Sequence, residues 1–258
     1  MKNLSSKQTI LSWLFILHSC FAFAQPSLFS FQKFTNDKGD TLNYRLLYPD
    51  ADRLRKYPLI IFLHGSGERG TDNDATLKWG VKNFATDENM QLHPAVVIVP
   101  QCPANMEWAN FSEHKNSTEM HLLPSPSKPM ELVMQLIREA IKKLPVDTNR
   151  IYITGLSMGG YGTYDAIERY PNVFAAAVPV CGGGDVSKAA TIAGIPIWIF
   201  HGAEDPAVNP AYAAEMFEAL TKAGAHPGFT QYPETGHFSW IGAYSDKMMI
   251  EWLFRQHK

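Results

Sequence analysis

The chain has 258 residues, 45% of them hydrophobic and 19% charged, and its formal net charge is -2. This is the composition of an ordinary globular protein, long enough to build a sizeable core, and it excludes a fibrous or disordered chain. The low net charge, with no basic stripe, predicts that the protein does not bind nucleic acid.

The amino-terminal segment has the pattern of an export signal. Lysines precede the apolar run Ile10–Phe21, and Ala22-Phe23-Ala24 is a typical A-x-A cleavage site. Because the apolar run is too short to span a bilayer, we expect no membrane-spanning helix. The pattern predicts a signal peptide over residues 1–24 and one folded domain over residues 25–258, with the protein exported to the periplasm or secreted. Cys20 lies in a loose match to a lipoprotein box, so lipid anchoring there is an alternative.

Strand-forming segments dominate the first part of the folded domain. Leu28–Phe34 and Leu42–Tyr48 alternate in polarity around a turn-rich connection and predict a hairpin. Pro58–Leu63 is apolar throughout, as in a parallel strand that is buried on both faces. It runs into the glycine-rich loop His64–Gly70, and a helix is expected over Thr76–Phe84.

The next part of the chain is less regular. A second buried strand, Ala95–Val99, is followed by the aperiodic stretch Pro103–Pro129. Because a loop of this length inside a compact domain is usually functional or mobile, we place it over the mouth of a functional site. Met130–Leu144 then shows the apolar period of an amphipathic helix.

The segment around Ser157 organises the rest of the sequence. Ile151–Thr154 is a β-branched and aromatic run that predicts a buried strand, and Tyr161–Tyr170 predicts a helix. Between them, Gly155-Leu156-Ser157-Met158-Gly159 matches G-x-S-x-G. A strand, a tight turn and a helix are the setting of a nucleophile elbow, which holds a serine hydroxyl clear of the sheet. The alternative is a glycine-rich turn with an incidental serine.

The carboxyl-terminal part continues the alternation of strands and helices. Strands are expected at Phe174–Val180, Ile195–Phe200 and Phe229–Tyr232. Helices are expected after Asn209 and over Tyr244–Arg255. Such regular alternation predicts an α/β fold with a mostly parallel, doubly wound central sheet flanked by helices.

A serine that attacks a carbonyl group needs a general base, an acid that orients this base, and donors for the oxyanion. In the elbow arrangement the acid and then the histidine follow the serine, each in a loop after a strand. Asp205 is preferred to its neighbour Glu204 as the acid, although a plain turn would also explain an aspartate here. His237 is selected as the base by both order and position. His64 and His201 stand at strand ends and are expected to be structural.

Two backbone donors are expected to form the oxyanion hole. The Met158 N–H follows the nucleophile, and the second donor is expected in the glycine-rich loop, with Ser66 preferred and Gly67 as the alternative. One such donor contributes roughly 3–4 kcal/mol of transition-state stabilisation. For Glu68 and Arg69 we expect a structural pair in preference to contact with substrate.

Five segments spread over nearly the whole mature chain carry a resemblance to a known family: Phe62–Asn73, Pro100–Pro103, Gly155–Thr163, Val180–Asp185 and His237–Trp240. They resemble the α/β-hydrolase serine esterases, most closely the EstA-like bacterial carboxylesterases, beside the feruloyl-esterase and polyhydroxybutyrate-depolymerase-like groups. The resemblance implies that Ser157, Asp205 and His237 form a catalytic triad and that residues 25–258 are an α/β-hydrolase catalytic domain. One departure is Phe238, where the closest pattern has glycine, and the larger side chain would narrow the pocket.

The resemblance also bears on the two cysteines of the mature chain. In the strand order of that fold, two strands lie between the strand that ends at Cys102 and the strand that ends at Cys181. At about 4.8 Å per strand the separation is about 14 Å, whereas a disulfide needs Cα atoms within about 7 Å. Both cysteines are therefore expected to be free and buried.

The expected function is hydrolysis of a carboxylic ester through an acyl-enzyme. Trp108 and Trp240 are candidates for contact with a sugar or an aromatic acyl group, which favours feruloyl or acetyl esters of plant polysaccharides. A serine peptidase of the prolyl-oligopeptidase type and a catalytically inactive polymer-binding protein are the alternatives. No metal and no cofactor is expected, because the sequence has neither metal-ligand spacing nor a phosphate-binding loop.

Overall fold

The computed structural model describes residues 28–49, 54–112 and 120–258. The predicted signal peptide, with Cys20, lies outside the described residues. The strands are β1 (Phe29–Thr35), β2 (Thr41–Leu47), β3 (Tyr57–Leu63), β4 (Val96–Pro100), β5 (Phe111–Ser112), β6 (His121–Leu122), β7 (Val146–Leu156), β8 (Ala176–Val180), β9 (Trp198–Gly202) and β10 (Gly228–Tyr232). The helices are α1 (Asp87–Leu92), α2 (Lys128–Lys143), α3 (Met158–Arg169), α4 (Ala189–Ile192), α5 (Ala211–Lys222), α6 (Trp240–Ser245) and α7 (Lys247–Arg255). Within the described ranges, none of these helices combines the length and the apolar character needed to cross a membrane.

Eight of these strands form one sheet in the order β1-β2-β4-β3-β7-β8-β9-β10. β3 pairs in parallel with β4 and β7, and parallel pairing continues through β8, β9 and β10. At one edge, β1 and β2 form the predicted antiparallel hairpin, and β2 is antiparallel to β4. The mostly parallel sheet predicted from the sequence is therefore confirmed. β5 and β6 form a small hairpin of their own.

The sheet is covered on both faces because its central strands are apolar at nearly every position. All seven residues of β3 are buried. Leu59, Ile61 and Leu63 join the core beneath α2, α3 and α5. Ile60 and Phe62 point the other way and join the core beneath α6 and α7. This is the two-residue period of an extended strand, and it places the sheet between two helical layers.

The chain over residues 75–85 is less regular than the helix predicted over Thr76–Phe84. It contains two 3₁₀ turns, Ala75–Leu77 and Val81–Ala85. Gly80 separates them with a φ of 70°, a left-handed value that interrupts a right-handed helix. A Cβ on Gly80 would collide with the Tyr244 ring. Close packing against Tyr244 therefore explains why no continuous helix forms here.

The helix predicted over Tyr244–Arg255 is likewise divided, into α6 and α7. Asp246 stands between them with extended backbone, and its side chain accepts a hydrogen bond from the Met248 N–H at 2.8 Å. An aspartate in this position caps the second helix and lets the chain change direction. The helix α5 begins at Ala211, two residues after Asn209, and the Asn209 side chain accepts from the Ala211 N–H at 3.0 Å.

The two cysteines are free and buried, as predicted. Cys102 follows β4 and Cys181 follows β8, and the sheet order places β3 and β7 between these strands. The predicted topology of this part of the sheet is therefore confirmed, and it keeps the two thiols apart.

Candidate active site

The carboxyl ends of β3, β7 and β9 lie at one edge of the sheet, and the predicted site residues follow these strands. The parallel register sets Leu63 of β3 opposite Gly155 of β7. Three residues further along, the two chains have reached Ser66 and Met158. The glycine-rich loop therefore lies beside the turn that carries Ser157.

Ser157 occupies this turn in a conformation that few residues adopt. Its φ is 55° and its ψ is -117°, outside the regions favoured by L-residues. The Ser157 N–H donates to the Val180 carbonyl at 3.0 Å, and the Ser157 carbonyl accepts from the Gly160 N–H at 2.8 Å. A Cβ on Gly155 or Gly159 would collide with the backbone opposite. Both glycines are required for this close approach, as the sequence predicts.

The structure brings Ser157, Asp205 and His237 together. The Nε2 atom of His237 lies 2.9 Å from Ser157 Oγ, and its Nδ1 atom lies 2.7 Å from Asp205 Oδ2. An ionised carboxylate only accepts hydrogen bonds, so Nδ1 carries the hydrogen and Nε2 can accept from the serine hydroxyl. The His237 side chain is 20% exposed and that of Asp205 is fully buried. Glu204, the alternative acid, is exposed.

The Asp205 carboxylate receives hydrogen bonds on both oxygens. Oδ1 accepts from the N–H groups of Ala207 and Val208 at 2.9 and 3.0 Å, and Oδ2 accepts from His237. Burial acts to raise the pKa of Asp205, but the hydrogen bonds from His237, Val208 and Ala207 outweigh it and hold the pKa below its usual value. The carboxylate is therefore ionised at neutral pH and can orient the imidazole.

His201, which the sequence assigned to a structural role, contacts the same carboxylate. Its buried ring places Nε2 3.0 Å from the Val208 carbonyl oxygen and 3.3 Å from Asp205 Oδ2. Both are acceptors, so Nε2 carries the hydrogen and shares it between them. Nδ1 has no hydrogen-bond partner among the described residues, and burial lowers the pKa of His201. The sequence signal that identifies it is its position four residues before Asp205.

The candidate oxyanion donors both begin helical turns. Met158 is the first residue of α3, and Ser66 is the first residue of the 3₁₀ turn Ser66–Glu68. The first N–H groups of a helix have no acceptor within the helix and carry partial positive charge. Both residues lie in the loops that directly follow the paired strands β3 and β7, so their N–H groups are candidates to hold an oxyanion.

The buried His64 ring holds the glycine-rich loop in place. Its Nε2 accepts from the Cys102 N–H at 2.9 Å, and its Nδ1 donates to the Gly65 carbonyl at 2.7 Å. Burial lowers the pKa of His64 to about 4, so the ring is neutral at physiological pH. This histidine therefore has the structural role that the sequence predicts, one residue before the loop turns.

Trp108 does not line the site, and the prediction that it contacts substrate is wrong. Its side chain is 0% exposed, and its indole N–H donates to the His64 carbonyl at 3.0 Å. The Trp108 carbonyl in turn accepts from Ser127 Oγ at 2.6 Å, and Phe111 is partly buried against the same core. This part of the long loop is thus folded into the protein instead of covering the site.

Trp240 lies against His237 but presents no open face. It is 5% exposed, and its ring meets the imidazole edge to face at a centroid distance of 5.1 Å. The exposed aromatic side chain at this place is Phe238, which is 55% exposed. Its ring packs against Trp79 at 5.8 Å and Trp240 at 4.7 Å. The sequence did not single out Trp79, because nothing local shows that it meets residues so far along the chain.

The expected pair between Glu68 and Arg69 does not form. Arg69 instead pairs with Glu107 at 2.8 Å. Glu68 is 5% exposed, and burial raises its pKa, while the charge of Lys78 and hydrogen bonds from the Gly65 N–H and the Trp79 indole act in the opposite direction. Glu68 therefore links the glycine-rich loop to Trp79.

Cys181 completes the buried surroundings of the three side chains. It follows β8 with a φ of 40°, and its Sγ lies within 4.8 Å of a ligand atom of Asp205 and of His237. Burial raises the pKa of this thiol to about 12, so it is protonated and is not a nucleophile. Asp205 and His237 are engaged with each other at 2.7 Å, an arrangement suited to proton transfer.

Residues 50–249 match the family of phospholipases and carboxylesterases. The chain belongs to this family. The predicted α/β-hydrolase fold and the resemblance to serine esterases are confirmed by this match and by a solved thermostable esterase. That structure is 41% identical, with a TM-score of 0.81, and the match covers 89% of this chain and 63% of that one.

Two relatives of the chain have names that state an action on polymers. A bifunctional acetylxylan esterase/xylanase of Neocallimastix patriciarum is 25% identical over 163 residues, 63% of this chain and 21% of that protein. Poly(3-hydroxyalkanoate) depolymerase C of Paucimonas lemoignei is 22% identical over 283 aligned positions, 96% of this chain and 64% of that protein. The chain therefore spans less than two thirds of the length of each relative.

Proposed function

We propose that the protein is a serine carboxylic-ester hydrolase that acts through an acyl-enzyme. The observation that carries the proposal is the continuous contact from Asp205 through His237 to Ser157, at 2.7 and 2.9 Å, on a strained turn. Membership in the phospholipase and carboxylesterase family supports the same reaction.

In the acylation step, Ser157 Oγ attacks the ester carbonyl and its proton passes to His237 Nε2. The buried Asp205 stabilises the imidazolium that forms, without taking the proton itself. The N–H groups of Ser66 and Met158 hold the oxyanion of the tetrahedral intermediate. When the intermediate collapses, His237 gives its proton to the alcohol oxygen and the alcohol leaves.

In the deacylation step, water takes the place of the alcohol. His237 Nε2 accepts a proton from the water, which attacks the acyl carbon, and the same N–H groups stabilise the second oxyanion. The proton then returns to Ser157 Oγ as the acid is released. Each turnover thus leaves the side chains in their starting states.

The proposed substrates are acetyl or feruloyl esters of plant polysaccharides. A relative named as an acetylxylan esterase supports the acetyl ester, and the exposed Phe238 ring next to His237, packed against Trp79, supports a ring-shaped partner on the substrate. Peptide hydrolysis and binding without catalysis are the competing functions, and both are outcomes of the first test below.

We also propose that the protein is exported. Support comes from the sequence, in which a lysine-bearing start, an apolar run and the A-x-A site precede Gln25. Intact-mass analysis of protein recovered outside the cytoplasm should give a chain that begins at Gln25. A chain that retains the segment, or one with a lipid on Cys20, would contradict this cleavage site.

Replacing the proposed nucleophile tests the ester hydrolase directly. Ser157→Ala should lower kcat for acetyl and feruloyl esters by about 10⁶-fold, because the attacking oxygen is gone. Ser245→Ala is the matched control, since Ser245 is an exposed helical serine whose hydroxyl bonds only its own helix. Retained activity in Ser157→Ala, or turnover of peptides but not esters, would contradict the proposal. A wild-type protein that a fluorophosphonate probe fails to label would indicate a binding protein instead.

A further inference from the structure

An exposed aromatic surface lies directly beside the proposed catalytic histidine. Phe238 is the neighbour of His237 in the chain and is 55% exposed. Its ring packs edge-on against Trp79, which is only partly buried. We call Trp79 and Phe238 together the aromatic platform. None of the catalytic steps derived above uses either residue.

A buried tryptophan packs against both rings of the aromatic platform. Trp240, which is 5% exposed, lies 4.7 Å from the Phe238 ring and 5.9 Å from the Trp79 ring. The Trp79 indole also donates to the buried Glu68 carboxylate. A surface fixed in this way loses little conformational entropy when a ligand binds to it.

The position of the platform assigns it to the alcohol half of an ester. In the acylation step His237 Nε2 must reach the leaving oxygen, so the alcohol lies next to the imidazole. Phe238 is joined to His237 by a peptide bond, and Trp240 connects both rings to the imidazole at 5.1 Å. The aromatic platform therefore lies beside the imidazole that the alcohol must contact as it leaves.

The combination of aromatic rings and a polar side chain favours a sugar as that alcohol. The face of a sugar ring that carries C–H bonds packs on an aromatic ring, while its hydroxyl groups need polar partners at the edge. Lys78 supplies a polar partner for these hydroxyl groups, since its exposed ammonium lies over the Trp79 ring, 5.1 Å from the ring centroid. A ligand site of this kind combines apolar faces with a few placed polar groups.

We infer that Trp79 and Phe238 form the subsite for the sugar alcohol of the substrate ester, and that they recognise this half and not the acyl half. The inference rests on the proposed ester hydrolysis. It also assigns Phe238, the residue that departs from the related sequence pattern, a role in specificity.

Two acetyl esters that differ only in the alcohol test the assignment. With acetylated methyl xylopyranoside, Phe238→Ala and Trp79→Ala should each lower kcat/KM by about tenfold, the value of one aromatic contact. With ethyl acetate, which has no ring to stack, the change should stay within about twofold. Phe238→Tyr keeps the ring and should restore the sugar ester. Phe31→Ala is the matched control, because Phe31 is 59% exposed but lies on β1 at the far edge of the sheet.

A second measurement isolates the alcohol subsite from the acyl group. With p-nitrophenyl acetate as donor, every variant forms the same acetyl-enzyme, and methyl xylopyranoside competes with water for it. The sugar hydroxyl gives its proton to His237 Nε2 and its oxygen attacks the acetyl carbon. The bond from acetyl to Ser157 Oγ then breaks and Ser157 takes up the proton. Wild type should form sugar acetate, and Phe238→Ala should give about tenfold less relative to acetate.

The outcomes separate this inference from the function on which it rests. Equal losses of kcat/KM on both acetyl esters would overturn the sugar subsite and leave ester hydrolysis intact. The same conclusion would follow if the loss depended on replacing the acetyl group by butyryl and not on the alcohol. A greater loss on octyl acetate than on the sugar ester would identify an aliphatic alcohol and also overturn it. If wild type cleaves none of these esters, or if Ser157→Ala cleaves them, the proposed function itself is wrong.

Discussion

Two histidines, His201 and His237, contact the same carboxylate oxygen of Asp205. His237 approaches it at 2.7 Å with a side chain that is 20% exposed, and His201 approaches it at 3.3 Å from a fully buried position. The second nitrogen of His237 faces Ser157 Oγ, whereas that of His201 has no partner among the described residues. Contact with the acid is therefore common to both, and access to the nucleophile distinguishes them.

The comparison shows how one carboxylate can serve two purposes. Towards His237, Asp205 fixes the tautomer that leaves Nε2 free to accept a proton. Towards His201, it accepts part of a shared hydrogen bond from a neutral ring whose pKa burial lowers. We expect His237 to act in catalysis and His201 to position Asp205.

Removing the exposed histidine should have the largest effect. His237→Ala leaves Ser157 without a base and should lower kcat on an acetyl ester by about 10⁶-fold. Steady-state kinetics measures the loss, and circular dichroism confirms that the variant is folded. A loss below about a hundredfold would mean that another base replaces His237.

Neutralising the shared acid should have the next largest effect. Asp205→Asn keeps the shape but favours the wrong imidazole tautomer, so kcat should fall by about 10⁴-fold. Glu204→Gln is the matched control, because it makes the same chemical change on the exposed neighbour. If Glu204→Gln gave the greater loss, the assignment of the acid would move to Glu204.

A third histidine sharpens the comparison through pH. The pKa of His64 is about 4 in the folded protein and about 6.5 when unfolded, so the unfolded state binds more protons between these values. The free energy of unfolding should therefore be unaffected above about pH 6.5 and fall by up to about 3 kcal/mol as the pH drops to about 4. Urea unfolding at several pH values measures this decrease. In His64→Gln the decrease in unfolding free energy between these pH values should be smaller by about 3 kcal/mol. Equal losses in both proteins would contradict a neutral buried ring.

Removing the buried partner of Asp205 should have the smallest effect. His201→Leu deletes one donor to the carboxylate while His237, Ala207 and Val208 remain, so kcat should fall by about tenfold with KM unchanged. His201→Gln offers an amide N–H near the position of Nε2 and should recover most of the rate. If His201→Leu and His201→Gln lowered kcat equally, and in proportion to their loss of unfolding free energy, His201 would act only in packing.

Much of the arrangement follows from local sequence. The apolar runs predict the parallel strands, and Gly155 and Gly159 predict the sharp turn at Ser157, because each depends on neighbours in the chain. The order of Asp205 and His237 after the serine predicts the two residues that the structure brings into contact with each other and with Ser157. These features need only the strand order of a common fold.

The aromatic residues show where local sequence is insufficient. Trp108 and Trp79 are the same residue type in irregular segments, yet the first is fully buried and the second contributes to an open surface. The difference arises from partners far along the chain, the His64 carbonyl for Trp108 and Phe238 for Trp79. The helix predicted over Thr76–Phe84 fails for the same reason, since Tyr244 packs on Gly80.

The anchoring of the segment around Trp108 has a consequence for kinetics at interfaces. The Trp108 indole holds the carbonyl of His64, the Asn110 N–H donates to Asp165 at 2.9 Å, and the Leu122 N–H donates to Asp185 at 2.9 Å. Moving Trp108, Asn110 and Leu122 outward would break these bonds and disturb the loop that carries Ser66. We therefore expect the initial rate of hydrolysis to rise hyperbolically with ester concentration. The rate should not increase abruptly above the concentration at which the ester separates from solution as droplets.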